Sequence, residues 1–305
     1  MSLLATTDPP ATACAWCGEP LDEAAVRRAG RTECARCGVA TTDPWPSPAT
    51  LDRAYADWYR PQSGRFSGPG DALLRRSRGA LARRLDRIAP PGPVLDVGAG
   101  DGALLDALHA AGREAVGIER ASARDDVEAG DLLDLEPGPR FAAVVFWHSL
   151  EHLPAPGAAL ERAASLLLPG GVVAVAVPNA DSLQARLFGD RWLALDLPRH
   201  LVHIPARALL RRLEAIGLRV TRISFVRGGQ VAFGWLHGLV GLLPGHPHLY
   251  DAIRRPEARS QTQSPPRRAV TLTAAALLAP LALLLSALEV TLRRAGTVYV
   301  EAVGG

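Results

Sequence analysis

Lysine is missing from this sequence of 305 residues, in which all 34 strongly basic residues are arginine. Such a bias is typical of a GC-rich coding sequence, and we attach no function to it. An excess of charge of one sign is also missing, because 31 acidic residues leave a formal net charge of only +3. Without bulk basicity, nucleic acid is not expected to be the main partner.

A secretory signal is absent as well. Residues 1–17, MSLLATTDPPATACAWC, have no basic start, no long apolar core and no cleavage site. We therefore expect a cytoplasmic chain, in a compartment where paired cysteines seldom form lasting disulfides. Hydrophobic residues make up 48% of the chain and charged residues 21%, which is typical of a globular protein.

The cysteines are few and all lie near the start: Cys14 and Cys17 in CAWC, Cys34 and Cys37 in CARC. Two CxxC pairs at this separation match the spacing of a four-thiolate zinc site. Four thiolates leave zinc no open position, so the predicted metal is structural. Two disulfides or free thiols are the alternatives.

Strand and helix patterns alternate from Val94 onward. Apolar runs at 93–97, 113–120, 141–149, 171–179 and 218–226 predict strands, and periodic stretches between them predict helices. Such alternation implies right-handed crossovers and an α/β fold with a doubly wound parallel sheet. The segment GTVYVEAV, 296–303, should return to this sheet beside LRVTRISFV, 218–226.

Two helices are predicted before the sheet. The first is short and carries Leu51, Tyr55, Trp58 and Tyr59; the second is amphipathic and ends at Pro90. The arginines of the second are expected on a solvated face or, alternatively, against an acidic membrane surface. The predicted organisation is a zinc ribbon (1–45), a helical linker or lid (46–90), a core (91–227), a hydrophobic helical insertion (228–295) and the last strand (296–305).

A glycine-rich turn follows the first core strand, with Gly98, Gly100 and Gly102 in GxGxG. This pattern alone is weak, but Asp96 places a carboxylate at the mouth of the strand. No Walker motif is present, and a pyrophosphate would be repelled by the carboxylates, whereas a cationic sulfonium would not. Glu119 ends the second strand, where it can accept hydrogen bonds from ribose hydroxyls. The sequence favours S-adenosylmethionine over a dinucleotide.

These residues resemble those of class I, Rossmann-like methyltransferases, and the seven-stranded sheet of that family is the expected fold. The CxxCG pairs, DPWPSP and LLLPGGVVAVAVPN resemble bacterial members with an N-terminal zinc ribbon, and FWHSLEHLPAPGAAL resembles the ubiquinone O-methyltransferase-like branch. The resemblance implies that the cofactor contacts Asp96, Gly98, Ala99, Gly100, Glu119, Arg120, Asp131, Leu132, Trp147 and His148. Ala99 stands where many relatives have Cys, a conservative departure.

Histidines flank the expected acceptor side. His148 or His200 is the candidate general base that deprotonates a hydroxyl acceptor. HSLEH also matches HxxEH, which on a helix would place His148 and His152 on one face as ligands of a divalent ion; the alternative for His152 is a structural role. Arg191 and Arg199 are candidates for holding an anionic acceptor group, or they simply belong to a polar loop over the cofactor.

An uncharged stretch, Ala269–Leu288, is long enough to cross a bilayer. Arginines precede and follow it, and a single crossing would separate the last strand from its sheet. We therefore expect a re-entrant or in-plane membrane segment, with helices buried against the domain or a dimer partner as the alternative.

The predicted function is a methyltransferase for a small-molecule, sugar or lipid-linked acceptor, peripheral or monotopic at the inner face of the membrane. A nucleic-acid methyltransferase and a non-catalytic cofactor-binding scaffold are the alternatives.

Overall fold

The structure is a computed structural model that describes residues 8–22, 25–28, 30–56, 70–120, 124–136, 138, 140–226, 229–256, 259 and 264–304. The strands are β1 (Val26–Arg28), β2 (Arg31–Glu33), β3 (Ala40–Thr42), β4 (Val94–Val97), β5 (Ala115–Glu119), β6 (Val127–Ala129), β7 (Phe141–Trp147), β8 (Leu167–Pro178), β9 (Val202–His203), β10 (Arg219–Ser224) and β11 (Thr297–Val303). The helices are α1 (Pro48–Ala56), α2 (Gly70–Ile88), α3 (Ala103–Ala110), α4 (Pro156–Ser165), α5 (Leu183–Phe188), α6 (Ala206–Ala215), α7 (Gln230–Gly241), α8 (Leu249–Ile253) and α9 (Pro265–Thr291).

Seven strands form the large sheet, in the order β10-β11-β8-β7-β4-β5-β6. Strands β4 to β8 are parallel to one another, which confirms the doubly wound α/β prediction. β11 lies antiparallel between β8 and β10, so the last strand returns beside 219–224 as expected. The central strands β7 and β8 read as almost unbroken apolar runs because helices cover both faces of the sheet.

Alternate residues of the central strands separate into two layers of core. Leu85 of α2 and Leu105 of α3 pack on the face that carries Val145. Leu160 of α4 and Leu209 of α6 pack on the opposite face, which carries Val144. This two-sided burial follows from the period of two in a strand.

One expectation for a strand and one for a helix are wrong. The strand predicted from residue 171 starts earlier, because α4 ends at Ser165 and Leu167 already pairs with Phe141 of β7. The arginines of α2 do not all face solvent: Arg84 makes a bidentate pair with the buried Glu301, at 2.9 and 2.7 Å. Trp58 and Tyr59, predicted on the first helix, lie outside the described residues.

The cysteine-containing segment belongs to the same packed unit as the large sheet. β1, β2 and β3 form a small antiparallel sheet, and β3 pairs with β9 from the loop that follows β8. Cys14 and Trp16 are buried in the core layer that contains Val144. A Cβ on Gly157, at the start of α4, would lie 2.4 Å from the carbonyl oxygen of Trp16, so only glycine permits this contact.

The apolar run near the C-terminus is one helix, α9, which continues through Pro280. It is the one helix in the described part of the chain that is long and apolar enough to cross a membrane. Its most deeply buried positions are small or polar, whereas its most exposed positions are large and apolar; Leu272, Leu278 and Leu285 pack half-buried against the protein. The buried positions are Thr271, Ala275, Ala282 and Glu289; the most exposed apolar ones include Val270, Leu277, Leu283, Leu284 and Leu288.

Glu289 attaches the end of α9 to three other elements. Its carboxylate accepts hydrogen bonds from Gln184 of α5, from the indole N–H of Trp235 in α7, and from the backbone of Gly296 before β11. Burial raises the pKa of Glu289, and these donors partly offset that effect. α9 therefore lies against the protein along its length, from Thr271 near its start to Glu289 near its end, and the apolar run itself contains no re-entrant turn.

Candidate functional site

The candidate cofactor residues converge because parallel strands end at the same edge of the sheet. Val97 at the end of β4 lies beside Ile118 of β5 and Phe146 of β7, and Glu119 lies beside Ala129 at the end of β6. The loops that follow these four strands carry the predicted residues. This edge is where α/β sheets bind their ligands.

The glycine-rich loop has the backbone that only glycine adopts without strain. Gly98, Gly100 and Gly102 all have positive φ, at 78°, 60° and 75°. A Cβ on Gly98 would lie 2.4 Å from Cβ of Ser149, which follows β7 and hydrogen-bonds the carbonyl of Val97 through its hydroxyl. The loop therefore holds the ends of β4 and β7 close together.

Asp96 is buried at this edge, and no described residue donates a hydrogen bond to its Oδ1 atom. The pKa of Asp96 is raised to about 7, chiefly by burial and in smaller part by the charges of Glu119 and Asp101. Arg78, on α2, acts in the opposite direction. A buried carboxylate of this kind is costly unless a cation or donor reaches it.

The carboxylate of Glu119 lies across the glycine loop. Its Oε2 accepts the N–H of Gly100 and its Oε1 accepts the N–H of Arg120, both at 3.0 Å. A carboxylate has about four lone-pair positions, so two further donors can still bind. The side chain of Arg120 points elsewhere, over the ring of Tyr55 at 5.2 Å.

The remaining predicted cofactor residues line the same edge. Asp131 caps a short 3-10 turn by accepting the N–H of Leu133 at 2.9 Å, and Leu132 is fully buried beneath it. Trp147, the last residue of β7, is flanked by Tyr299, with the ring centres 6.2 Å apart. The guanidinium of Arg78 lies over the indole, 4.7 Å from its centre.

His148 has a left-handed backbone, with φ at 56°, which is uncommon for a residue with a side chain. Its Nδ1 atom lies 3.5 Å from Oε1 of Glu151, and its Nε2 atom lies 3.3 Å from the amide nitrogen of Gln230. Because an amide nitrogen only donates, Nε2 is the unprotonated nitrogen and Nδ1 carries the proton. The segment is not an α-helix, so the expectation that His148 and His152 share one helix face is wrong.

Glu151 is the centre of a second cluster that the sequence interpretation did not select. It is 2% exposed, and among the described residues neither of its oxygens accepts a hydrogen bond of ordinary geometry. Burial by itself raises the pKa of Glu151, but His148, His200 and His152 together outweigh it and lower that pKa to about 2. The buried group is therefore an anion.

Two histidines face this anion with fixed rings. His200 donates from Nδ1 to the carbonyl of Ala194 at 2.8 Å, and its Nε2 lies 3.9 Å from Glu151 Oε1. His152 donates from Nδ1 to the carbonyl of Arg199 at 2.8 Å. Burial, followed by the charge of His200, lowers the pKa of His152 to about 4, so this ring is neutral at pH 7.

The two arginines predicted to hold an anionic acceptor are engaged differently. Arg199 pairs with Asp196 in the same loop, and its side chain is largely buried. Arg191 is exposed and contacts the ring of His246 at 3.3 Å. The structure therefore gives Arg199 an internal partner.

The four cysteines meet in one cluster, in which all four sulfur atoms lie within 4.8 Å of one another. The Cys14–Cys37 and Cys17–Cys34 sulfur atoms are 3.6 and 3.8 Å apart. Four sulfurs bound to zinc at about 2.3 Å lie about 3.8 Å apart, whereas a disulfide needs about 2.05 Å. The hydrogen bond with the Cys37 thiol lowers the pKa of Cys14 to about 5. The cluster has the geometry of a tetrahedral ion site.

Four residues of the site escaped the sequence interpretation: Arg78, Ser149, Glu151 and Gln230. Glu151 stands inside the HSLEH motif, and this motif was the signal that the sequence offered. That Glu151 is buried is seen only in the structure. Arg78 sits in an arginine-rich helix whose sequence gives no reason to single it out. Gln230 lies more than 80 positions from His148, so only the fold brings the two together.

Part of the chain is similar in sequence to known methyltransferases. Residues 73–223, just under half of the chain, match the family model described as a methyltransferase domain. The chain is 31% identical to the ubiquinone biosynthesis O-methyltransferase of Alkalilimnicola ehrlichii over 124 residues, 35% of this chain and 50% of that protein. It is 28% identical to the protein of that name from Rhodopseudomonas palustris over 184 residues, 52% and 72% of the two chains.

The chain spans about half the length of the first of these relatives. Among solved structures, a SAM-dependent methyltransferase from Archaeoglobus fulgidus aligns with a TM-score of 0.44 and 18% identity, covering 74% of this chain and 94% of that one. The cysteine cluster and helices α7, α8 and α9 lie outside the range matched by the family model.

We expect one zinc ion per chain at the cysteine cluster. Cys37→Ser should lose the zinc and lower the melting temperature, because the cysteine segment shares a core layer with the sheet. Ala35→Ser, in the same turn, is the matched control and should keep both. Metal analysis and thermal unfolding measure this; a chain that is free of zinc as purified and that gains no stability from added zinc would contradict it.

Proposed function

We propose that this chain, whose residues 73–223 form a class I methyltransferase domain, catalyses S-adenosylmethionine-dependent methylation of a hydroxyl group on a small-molecule, sugar or lipid-linked acceptor. The observation that carries the proposal is the buried Asp96 carboxylate, whose Oδ1 has no donor among the described residues, beside a glycine loop in which a Cβ on Gly98 would collide with Ser149. A cationic amino acid group would supply the missing partner, whereas the phosphates of a dinucleotide would add repulsion.

The residues at this edge fit the cofactor. Asp96 would bind the ammonium group, Glu119 would accept the ribose hydroxyls with its remaining lone pairs, and Asp131 with Leu132 would flank the adenine. Gly98, Ala99 and Gly100 keep the backbone low beneath the ligand, and Arg120, Trp147 and His148 border it. When bound, S-adenosylmethionine supplies an electrophilic methyl group.

The chain itself would position the acceptor and take its proton. His148 is the better general base, because its Nδ1–H faces the Glu151 anion and its Nε2 is the unprotonated nitrogen. Nε2 accepts the amide N–H of Gln230 in this structure, so the acceptor hydroxyl would have to displace that amide. The Glu151 anion stabilises the imidazolium that forms when Nε2 accepts the hydroxyl proton. His200 uses Nδ1 to hold a backbone carbonyl and directs Nε2 toward Glu151, which favours a positioning role.

The domain organisation is part of the proposal: a zinc ribbon at 1–45, a linker or lid at 46–90, a cofactor-binding core at 91–227, an insertion at 228–295 and a closing strand at 296–305. The cysteine cluster would hold structural zinc, because four thiolates leave no open position. Arg78 of the linker region supports its role as a lid, since it reaches over Trp147 at the edge of the site.

The insertion would lie in the plane of the inner membrane surface. The outward side of α9 is a row of exposed leucines, and Arg267, Arg268, Arg293 and Arg294 flank it with positive charge suited to anionic lipids. A crossing is disfavoured, because α9 packs on α7 and α8 along its length and would carry the ion-paired Arg255 beside them into the bilayer.

Binding of the cofactor should depend on the ionisation of Asp96. Since burial raises its pKa to about 7, roughly one tenth of the carboxylate is ionised at pH 6, and affinity for S-adenosylmethionine should fall about fivefold or more between pH 8 and pH 6. Asp96→Asn should bind weakly and lose this dependence, whereas Asp134→Asn, in a nearby turn, should behave like the parent. Calorimetry measures both. Undiminished binding by Asp96→Asn would contradict the proposal.

Turnover should depend on His148. His148→Ala should lower kcat by about 100-fold or more while the Kd for S-adenosylmethionine changes less than threefold, because the base acts on the acceptor. His109→Ala, an exposed histidine on α3, is the control. Transfer of radiolabelled methyl to a panel of hydroxylated acceptors measures this. If cofactor binds and no acceptor is methylated, the chain is a non-catalytic scaffold; if His148→Ala turns over normally, His148 is not the base.

Vesicle binding tests the membrane segment. The chain should float with vesicles that contain anionic lipid, and Leu277→Ser with Leu284→Ser should weaken this at least tenfold, because each exposed leucine loses about 1.5–3 kcal/mol of burial. Leu73→Ser with Leu187→Ser, two exposed leucines elsewhere, is the matched control. Equal flotation of both double variants, or a dimer that only the α9 variant disrupts, would refute membrane contact by this face.

A further inference from the structure

We propose that Glu151, His152 and His200 form a binding site for one divalent first-row metal ion, which takes an oxygen of the acceptor as a further ligand. The juxtaposition is not the HxxEH helix arrangement, since His148 is turned away from such a face and His200 comes from the loop after β8, about 50 positions along the chain. The role toward the acceptor rests on the proposed function, but the metal site does not.

The first support is a buried carboxylate whose hydrogen bonds are incomplete. Glu151 is nine-tenths or more buried, and neither of its oxygens is satisfied by a hydrogen bond among the described residues. An isolated buried carboxylate costs several kcal/mol, so proteins neutralise it, pair it or bind a cation there. Arg199, the guanidinium of the adjacent loop, is already paired with Asp196.

The second support is distance. The ligand atoms of Glu151, His152 and His200 all lie within 4.8 Å of one another, and the His200 Nε2 to Glu151 Oε1 distance is 3.9 Å. Two ligands of one ion at about 2.1 Å are separated by at most about 4.2 Å, so small rotations complete the site. The rings of His152 and His200 are nearly perpendicular, with centres 4.6 Å apart.

The third support is orientation of the two rings. Each histidine donates from Nδ1 to a backbone carbonyl, His152 to Arg199 and His200 to Ala194, so in the neutral rings Nε2 is the nitrogen left for an ion. Nε2 of His200 lies 3.9 Å from Glu151 Oε1 and 3.6 Å from Asp196 Oδ2, so an ion would replace a proton between these carboxylates. This outer hydrogen bond is what fixes the tautomer of metal-binding histidines. The backbone holds the cluster together as well, since Leu201 N–H donates to the Glu151 carbonyl at 2.9 Å.

The donor set indicates the ion and its role. Two imidazoles and one carboxylate suit Mn²⁺, Fe²⁺, Co²⁺ or Zn²⁺ better than Mg²⁺ or Ca²⁺, and three ligands leave positions open. A metal held by these residues would lower the pKa of an acceptor hydroxyl bound to it. When that O–H bond breaks, the proton would form an N–H bond at His148 Nε2 in place of the hydrogen bond from Gln230. The favoured acceptors are therefore those with two neighbouring oxygens that chelate an ion.

Mn²⁺ is the probe, because its paramagnetic spectrum reports binding directly and thiolates prefer zinc. The zinc-loaded full chain should bind one Mn²⁺ in the absence of any cofactor or acceptor. Glu151→Gln and His200→Ala should each weaken Mn²⁺ binding at least tenfold. Glu161→Gln and His109→Ala, on exposed faces of α4 and α3, are matched controls and should bind like the parent.

Thermal unfolding keeps the test decisive if a variant is less stable. Mn²⁺ should raise the melting temperature of the parent and of both controls, but not that of Glu151→Gln, whose metal-free form should be at least as stable because an unpaired buried charge is gone. Bound S-adenosylmethionine confirms that each variant is folded. A parent that binds no Mn²⁺, Co²⁺ or second Zn²⁺, or a Glu151→Gln variant that binds as tightly, overturns the proposal. Metal binding without methyl transfer would instead refute the proposed function alone.

Discussion

The cost of burying a carboxylate organises this molecule. Among the described residues, the four most deeply buried carboxylates, each at most 3% exposed, fall into two pairs. Glu289 and Glu301 are satisfied internally, by amide and indole donors and by a bidentate arginine, and they hold α9 and α2 to the sheet. Asp96 and Glu151 keep oxygens without donors among the described residues. Internal satisfaction indicates a structural role, and its lack is the basis on which a cofactor site at Asp96 and a metal site at Glu151 are proposed.

The two incomplete carboxylates lie at the same edge of the sheet, on or just after neighbouring strands. Asp96 belongs to β4 and Glu151 follows β7, which are adjacent in the sheet, and Ser149 closes the gap between them through the Val97 carbonyl. Between the two stands His148, whose left-handed backbone turns its ring toward Glu151 and Gln230. In the proposed function, this edge of the sheet would hold the cationic cofactor at Asp96, the base at His148 and the acceptor beside Glu151.

The parts that sequence could predict are those governed by local pattern. Strand periodicity predicted the sheet, and GxGxG predicted the turn at Gly98. Strand length placed Glu119 at the end of the second strand, and CxxC spacing predicted the cysteine cluster. What it could not predict depends on distant contacts. Arg84 and Arg78 resemble solvated helix residues until α2 packs on the sheet, and Gln230 meets His148 only after the insertion folds. His148 and His152 fit a helix pattern, but His148 has a left-handed backbone directly after β7, and only a short 3-10 turn follows it.

The small sheet of β1, β2 and β3, which lies beside the cysteine cluster, pairs with β9 and so reaches the residues around His200. Thr42 binds both the His200 carbonyl, at 2.6 Å, and the His203 ring, at 3.3 Å, and β9 in turn fixes the Glu151 turn through Leu201. Residues 30–42 therefore pack against the segment that carries His200 and His203 and, through it, support the turn at Glu151. Exchanging this segment between homologues would have to exchange residues 196–203 with it, and the two regions should vary together in evolution.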